Sequence, residues 1–199
     1  MVSMALQVLF RNSTYTIFLF LVSCNEVEKR PLAAIAPVYI LASDRALQQR
    51  EGFLYYNNKK FAGWVYDLYP GGDTAFLISY SNGREEGWYR KWYEGKRQME
   101  ERFYTAGKKE GQHKGWWPDG KSKFDYLFTN DEHDGEAKEW FSNGKIFRIF
   151  HYTKGYEDGL QKMWWEDGKI RANYIVKEGQ QYGLIGRKLC RNNDSTKIN

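Results

Sequence analysis

The sequence predicts an all-β chain, a single-layer antiparallel meander of β-hairpins, and three observations carry that prediction. Gly63, Gly87, Gly111, Gly135, Gly159 and Gly183 follow one another at intervals of 24 residues, and a fixed period of this length marks a repeat architecture. Each period holds two runs of about six residues in which apolar and polar side chains alternate, as Phe150 and Tyr152 do with Arg148 and His151; period-two alternation belongs to strands. Aromatic residues make up 18% of the chain, with 19 glycines and only 4 prolines, a composition suited to short strands and tight turns. No stretch keeps apolar residues at helical spacing over three turns.

Residues 1–23 read as a secretory leader. Arg11 supplies positive charge, and the apolar run from Tyr15 to Val22 is about half of what spans a bilayer. Its end, Leu21-Val22-Ser23-Cys24, resembles the lipobox of bacterial lipoproteins, with Ser23 as the small residue before the cysteine. The resemblance implies lipidation of Cys24 and a place in the bacterial cell envelope, at the outer membrane if the cell is Gram-negative. A lipid on Cys24 leaves Cys190 without an intrachain partner, so no disulfide framework is expected. Asn25-Glu26-Val27-Glu28 admits two readings, a surface-export signal or a solvated tether. Residues 24–51, with Pro31 and Pro37, are expected to form a tether holding one ill-defined element around Val38–Leu41.

The repeat sheet is expected over residues 52–186. A half unit covers 52–62, because Tyr56 lies 24 residues before Tyr80. Full units start at Gly63, Gly87, Gly111, Gly135 and Gly159, Gly183 opens a closing half, and 187–199 read as a flexible tail. Five positions into each unit stand Leu68, Trp92, Trp116, Trp140 and Trp164, followed by Tyr69, Tyr93, Trp117, Phe141 and Trp165. Then comes a turn, best formed in Asp119-Gly120, Asn143-Gly144 and Asp167-Gly168. Such dipeptides suit hairpin turns in which both central residues take positive φ. A single sheet buries no ordinary core. Adjacent rings such as Trp116 and Trp117 are expected on opposite faces, so both faces should carry ring ladders, and the end strands should be the weak points.

The unit, with Trp140-Phe141-Ser142-Asn143-Gly144-Lys145 and Trp164-Trp165-Glu166-Asp167-Gly168-Lys169 as its best examples, resembles MORN-type repeats, in the bacterial variant of YwqK-type antitoxin-like proteins. The resemblance covers residues 52 to about 186 and implies the MORN-like sheet. Its functional implication is broad, since such sheets serve as scaffolds, tethers and binding platforms.

Chemistry is sparse. His113, His133 and His151 occupy different positions of their units, so the period does not bring them together, and no metalloprotease, Cys-x-x-Cys, nucleophile-elbow or phosphate-loop pattern occurs. No enzyme, cofactor or metal is expected. The formal charge of +5 is interspersed rather than gathered into a basic stripe, which argues against a nucleic-acid partner. The acidic ladder Glu86, Glu110, Asp134 and Asp158 reads either as a grip on a basic partner or as turn chemistry. Equivalent rungs, about 10 Å apart, are too distant to share one calcium ion. Partner binding is assigned to Trp92, Trp116, Trp140 and Trp164 with Tyr93, Trp117, Phe141 and Trp165, whose rings either anchor a ligand or pack on one another and on lysine stems. Lys145 and Lys169 read as solubilising charges. Three functions follow: a lipid-anchored scaffold binding a protein partner, an antitoxin or immunity protein occluding a toxin, and a lipid-headgroup or glycan binder.

Overall fold

The computed structural model describes residues 35–186; the leader, Cys24, Cys190 and the tail at 187–199 lie outside the described residues. Every regular element among the described residues is a strand. The element anticipated around Val38–Leu41 is β1 (Tyr39–Leu41), and the expected tether continues into β2 (Leu47–Arg50). β2 pairs with β3 (Phe53–Tyr56), which turns through Asn57 and Asn58 into β4 (Lys59–Lys60). These three form a small sheet of their own. Residues 39–50 therefore belong to the folded body rather than to a spacer. The half unit is likewise part of a second sheet and not the first hairpin of the main one. The reason is apolar burial: Leu47, Leu54 and Tyr56 pack on the cluster of Phe61, Val65 and Ile78, which a lone sheet would leave in water.

From Gly63 the expected meander runs on. β5 (Gly63–Leu68) pairs with β6 (Thr74–Ser81), β6 with β7 (Arg84–Trp92), and β7 with β8 (Gln98–Thr105), all antiparallel. Each later unit is preceded by a two-residue strand that bends into its first six-residue one. β9 (Lys108–Lys109) leads to β10 (Gly111–Trp116) and its partner β11 (Ser122–Thr129). β12 (Glu132–His133), β13 (Gly135–Trp140) and β14 (Ile146–Thr153) repeat this, as do β15 (Tyr156–Glu157), β16 (Gly159–Trp164) and β17 (Ile170–Lys177). β18 (Gln180–Leu184) closes the path on β17. One pairing is parallel: β1 lies on the outer edge of β5. The bend falls at the periodic glycine, where Gly111 takes φ +68°, a region that costs other residues dearly.

The two turn rows differ from expectation. Both central residues have positive φ in Asn82–Gly83, Ala106–Gly107, Asn130–Asp131, Lys154–Gly155 and Glu178–Gly179, a row of type I′ hairpins. At Asp119–Gly120, Asn143–Gly144 and Asp167–Gly168 only the glycine is left-handed. There the Gly120 N–H donates to the Trp117 carbonyl at 2.8 Å, and the Trp117 N–H to the Lys121 carbonyl at 2.8 Å. The acidic or amide residue acts through its side chain instead: Asp119, Asn143 and Asp167 accept the N–H of Lys121, Lys145 and Lys169 at 3.1, 2.9 and 2.9 Å. This is an Asx turn.

Burial is one-sided. Paired residues share a face, and Val65–Ile78, His113–Tyr126, Gly111–Phe128, Ala137–Phe150 and Gln161–Tyr174 all lie on the same one. That face holds almost every buried side chain. On the opposite face rings meet directly near the amino end, where Tyr39 stacks on Trp64 and Trp88 meets Phe103 edge-on at 5.0 Å. Strand alternation also sets Trp92, Trp116, Trp140 and Trp164 on it, at the end of each unit's first strand. Farther along, polar pairs stand between these tryptophans: Gln112 bonds Asp125, and Lys138 and His151 both approach Glu136. Direct ring-to-ring contacts on that face are confined to the first units, because the later ones place charged side chains at mid-strand positions, while the row Trp92, Trp116, Trp140 and Trp164 continues along it.

Candidate binding surface

The acidic ladder is a staple between units. The Glu86 carboxylate accepts the Ala106 N–H at 2.6 Å, Glu110 that of Asn130 at 3.0 Å, and Asp134 that of Lys154 at 3.4 Å. Each acid thereby satisfies the first residue of the next unit's type I′ turn. A backbone bond holds the second residue: the N–H groups of Gly83, Gly107, Asp131 and Gly155 donate to the carbonyls of Phe61, Glu85, Lys109 and His133 at 2.7–3.0 Å. Asp158 departs and accepts Thr153 Oγ1 of its own hairpin at 3.1 Å. Three of the four rungs are consumed in joining units.

The second aromatic of each unit makes a matching staple along the other turn row. Tyr69 Oη donates to the Trp92 carbonyl at 2.9 Å, Tyr93 Oη to that of Trp116 at 3.0 Å, and Trp117 Nε1 to that of Trp140 at 3.2 Å. Phe141 has no donor to offer. Trp165 is 51% exposed. Of the two rows assigned to partner binding, Trp92, Trp116, Trp140 and Trp164 are half-buried and do not stack on one another, and Tyr93, Trp117 and Phe141 are half-buried as well.

Two hollows open beside these rows. One, of about 540 Å³, is lined by Tyr39, Tyr66, Leu68, Leu77 and Trp92, with Thr74 and Lys96 at its rim. Lys96 lies 3.5 Å from Asp73. The sequence offered no sign of it, because Tyr39 comes from the parallel strand β1. The other, of about 450 Å³, lies where the units from Gly111 and Gly135 meet. Its wall includes Trp117, Phe124, Tyr126, Phe141 and Phe147, with Lys123, Glu139 and Glu166 as its charges. Phe124 lies across Gly115, where a methyl group would come within 2.2 Å of the ring. Tyr126 donates to Glu139, which also pairs with Arg148. Burial, and then the bond to Glu139, hold the Tyr126 phenol far above its ordinary range. It acts as a fixed donor.

His113 and His133 do come together, contrary to expectation, one on each side of the Phe128 ring at 4.7 and 4.2 Å. They are core members rather than ligands of a common centre. His113 is buried, and its Nε2 lies 2.9 Å from the Phe103 carbonyl. Two units on, Gln161 plays the same part on His151, accepting its N–H at 3.0 Å and donating to its carbonyl at 2.8 Å. Burial holds both His113 and His133 below the ordinary imidazole value. His133 Nδ1 is buried without a hydrogen-bond partner. Among the described residues no three His, Cys, Asp or Glu side chains gather at metal-binding distance. No protein-family model and no curated protein matches the chain.

Proposed function

We propose that this chain is a non-enzymatic binding protein whose repeat sheet holds a protein partner at the bacterial envelope, anchored by a lipid on Cys24. The observation that carries the reading is the 540 Å³ hollow of Tyr39, Tyr66, Leu68, Leu77 and Trp92. Aromatic and aliphatic anchors in a pocket with a polar rim are the usual centre of a protein interface. Tyr39 and Leu68 are 57% and 43% exposed, on a sheet whose polar ladders are spent on its own turns. The anchor rests on Leu21-Val22-Ser23-Cys24 alone.

A photo-cross-linker at position 68 in the native envelope tests the reading. One protein should be captured in stoichiometric yield, and a second substitution, Tyr66→Arg, should abolish the capture while the sheet stays folded. Recovery of the chain alone would overturn it. Cys24→Ser should release the protein from membranes.

A further inference from the structure

We propose that the 450 Å³ hollow between the units from Gly111 and Gly135 binds an alkylammonium group, presented as a lysine side chain of the protein partner. The partner rests on the reading above; the site stands on its own geometry. Two of the last three units share a feature at this place, where the first two units carry Ala75 and Met99. Six residues beyond the second aromatic, the bulged strand sets a cation over that ring: Lys123 lies 4.7 Å above Trp117, and Arg171 lies 4.4 Å above Trp165. In the unit between them the corresponding residue is Phe147, packed 5.0 Å from Phe141. The internal cation is missing there, and the hollow opens with Phe141 and Phe147 in its wall and the carboxylates of Glu139 and Glu166 beside them.

Rings attract a cation through their negative faces, and more strongly where water is excluded. The lining carries two carboxylates against the one ammonium of Lys123. Glu139 is engaged by Arg148 and Tyr126, whereas Glu166 is exposed and holds Oε1 3.0 Å from Asn143 Nδ2. A purely apolar guest would cover the Glu166 carboxylate without pairing its charge, which is costly. A lysine side chain lays its methylenes along the rings and its ammonium toward Glu166. The walls are fixed in advance, since Trp117 is tied to the Trp140 carbonyl and Phe124 is seated on Gly115.

The test titrates the full chain with Nα-acetyl-lysine methylamide and its uncharged norleucine counterpart, following the indole N–H signals by NMR. The lysine derivative should shift the Trp117 signal saturably, and the norleucine compound should bind at least about tenfold more weakly. Phe147→Lys restores the internal cation of the neighbouring units and should weaken binding about tenfold or more. Glu166→Gln, on the exposed rim, should weaken it about threefold. Equal binding of the two compounds, no saturable shift, or unchanged affinity in both variants would overturn the proposal. So would binding of phosphatidylcholine vesicles without binding of the lysine derivative. If the derivative binds but position 68 captures nothing, the site stands and the partner reading fails.

Discussion

The two ends of the sheet are finished differently. At the amino end, β1 covers the edge of β5 and the small sheet β2–β4 covers Phe61, Val65 and Ile78, which are 4%, 6% and 8% exposed. At the carboxyl end, Ala172, Tyr174 and Val176 are buried on one face with Met163 packed against them and the Phe150 ring edge-on to Tyr174. There Ile170, Ile175, Tyr182 and Leu184 are each at least half exposed, and every residue of β18 is exposed. The core face is thus buried to the same degree at both ends, and among the described residues what differs is that a second sheet packs against it at the amino end. In a one-layer sheet the period supplies strands and joints, but a full core needs something from outside the period.

The largest effect should come from removing that outside element. Phe61→Ala should cost about 3–5 kcal/mol in urea unfolding and bring amide exchange at the amino end up toward that of β17 and β18. If exchange at the two ends still differs as before, the second layer is not what separates them.

Acid should act next. Burial keeps His113 below its ordinary pKa of about 6.5. Above that value both folded and unfolded chains hold it neutral, and the full stability is present. As pH falls below it, the unfolded chain takes up a proton that the folded chain refuses, and stability is lost down to the folded pKa. His113→Gln reproduces the Gln161 arrangement and should flatten the loss that sets in below about pH 6.5, read from urea midpoints against pH. An equally steep loss would place the acid sensitivity elsewhere, with His133 the next candidate.

The staples should matter less individually. Glu110→Ala leaves the Asn130 N–H without its carboxylate acceptor, at a cost of about 1 kcal/mol. The smallest change is expected at the open end: Tyr182→Ser should stay within about 0.5 kcal/mol. A larger loss there would show that β18 is buried by something in solution.

Much of this architecture was legible in the sequence, and the parts that were not share a cause. The period, the strand pairs and the place of one turn row could be read from Gly63 to Gly183 because a backbone kink demands a residue type, whereas the type I′ row at Ala106–Gly107, Asn130–Asp131 and Lys154–Gly155 follows no fixed residue pair. The role of Trp92, Trp116 and Trp140 could not be read so, because what the staple uses is their carbonyl groups, which any residue carries. The acids looked like local turn residues and proved to serve a turn 20 residues away. The small sheet escaped notice because residues 39–50 follow no period. The hollow at Phe147 lay in plain view as a departure from the pattern, but its meaning depended on a bulge that sets Lys123 and Arg171 over rings.

The joints have a further consequence, for the length of the molecule. Each unit offers its successor the same carbonyl and, in most units, the same carboxylate and ring donor, and receives them from its predecessor at the same positions. Excising residues 111–134 as one block would bring Glu110 against the turn at Lys154 and Tyr93 against Trp140, so every joint could close again and the sheet would shorten by about 10 Å. Losing one residue would put out of step every joint that spans the loss. The chain is a ruler graduated in steps of 24, and the distance between its two dissimilar ends can change only by whole marks.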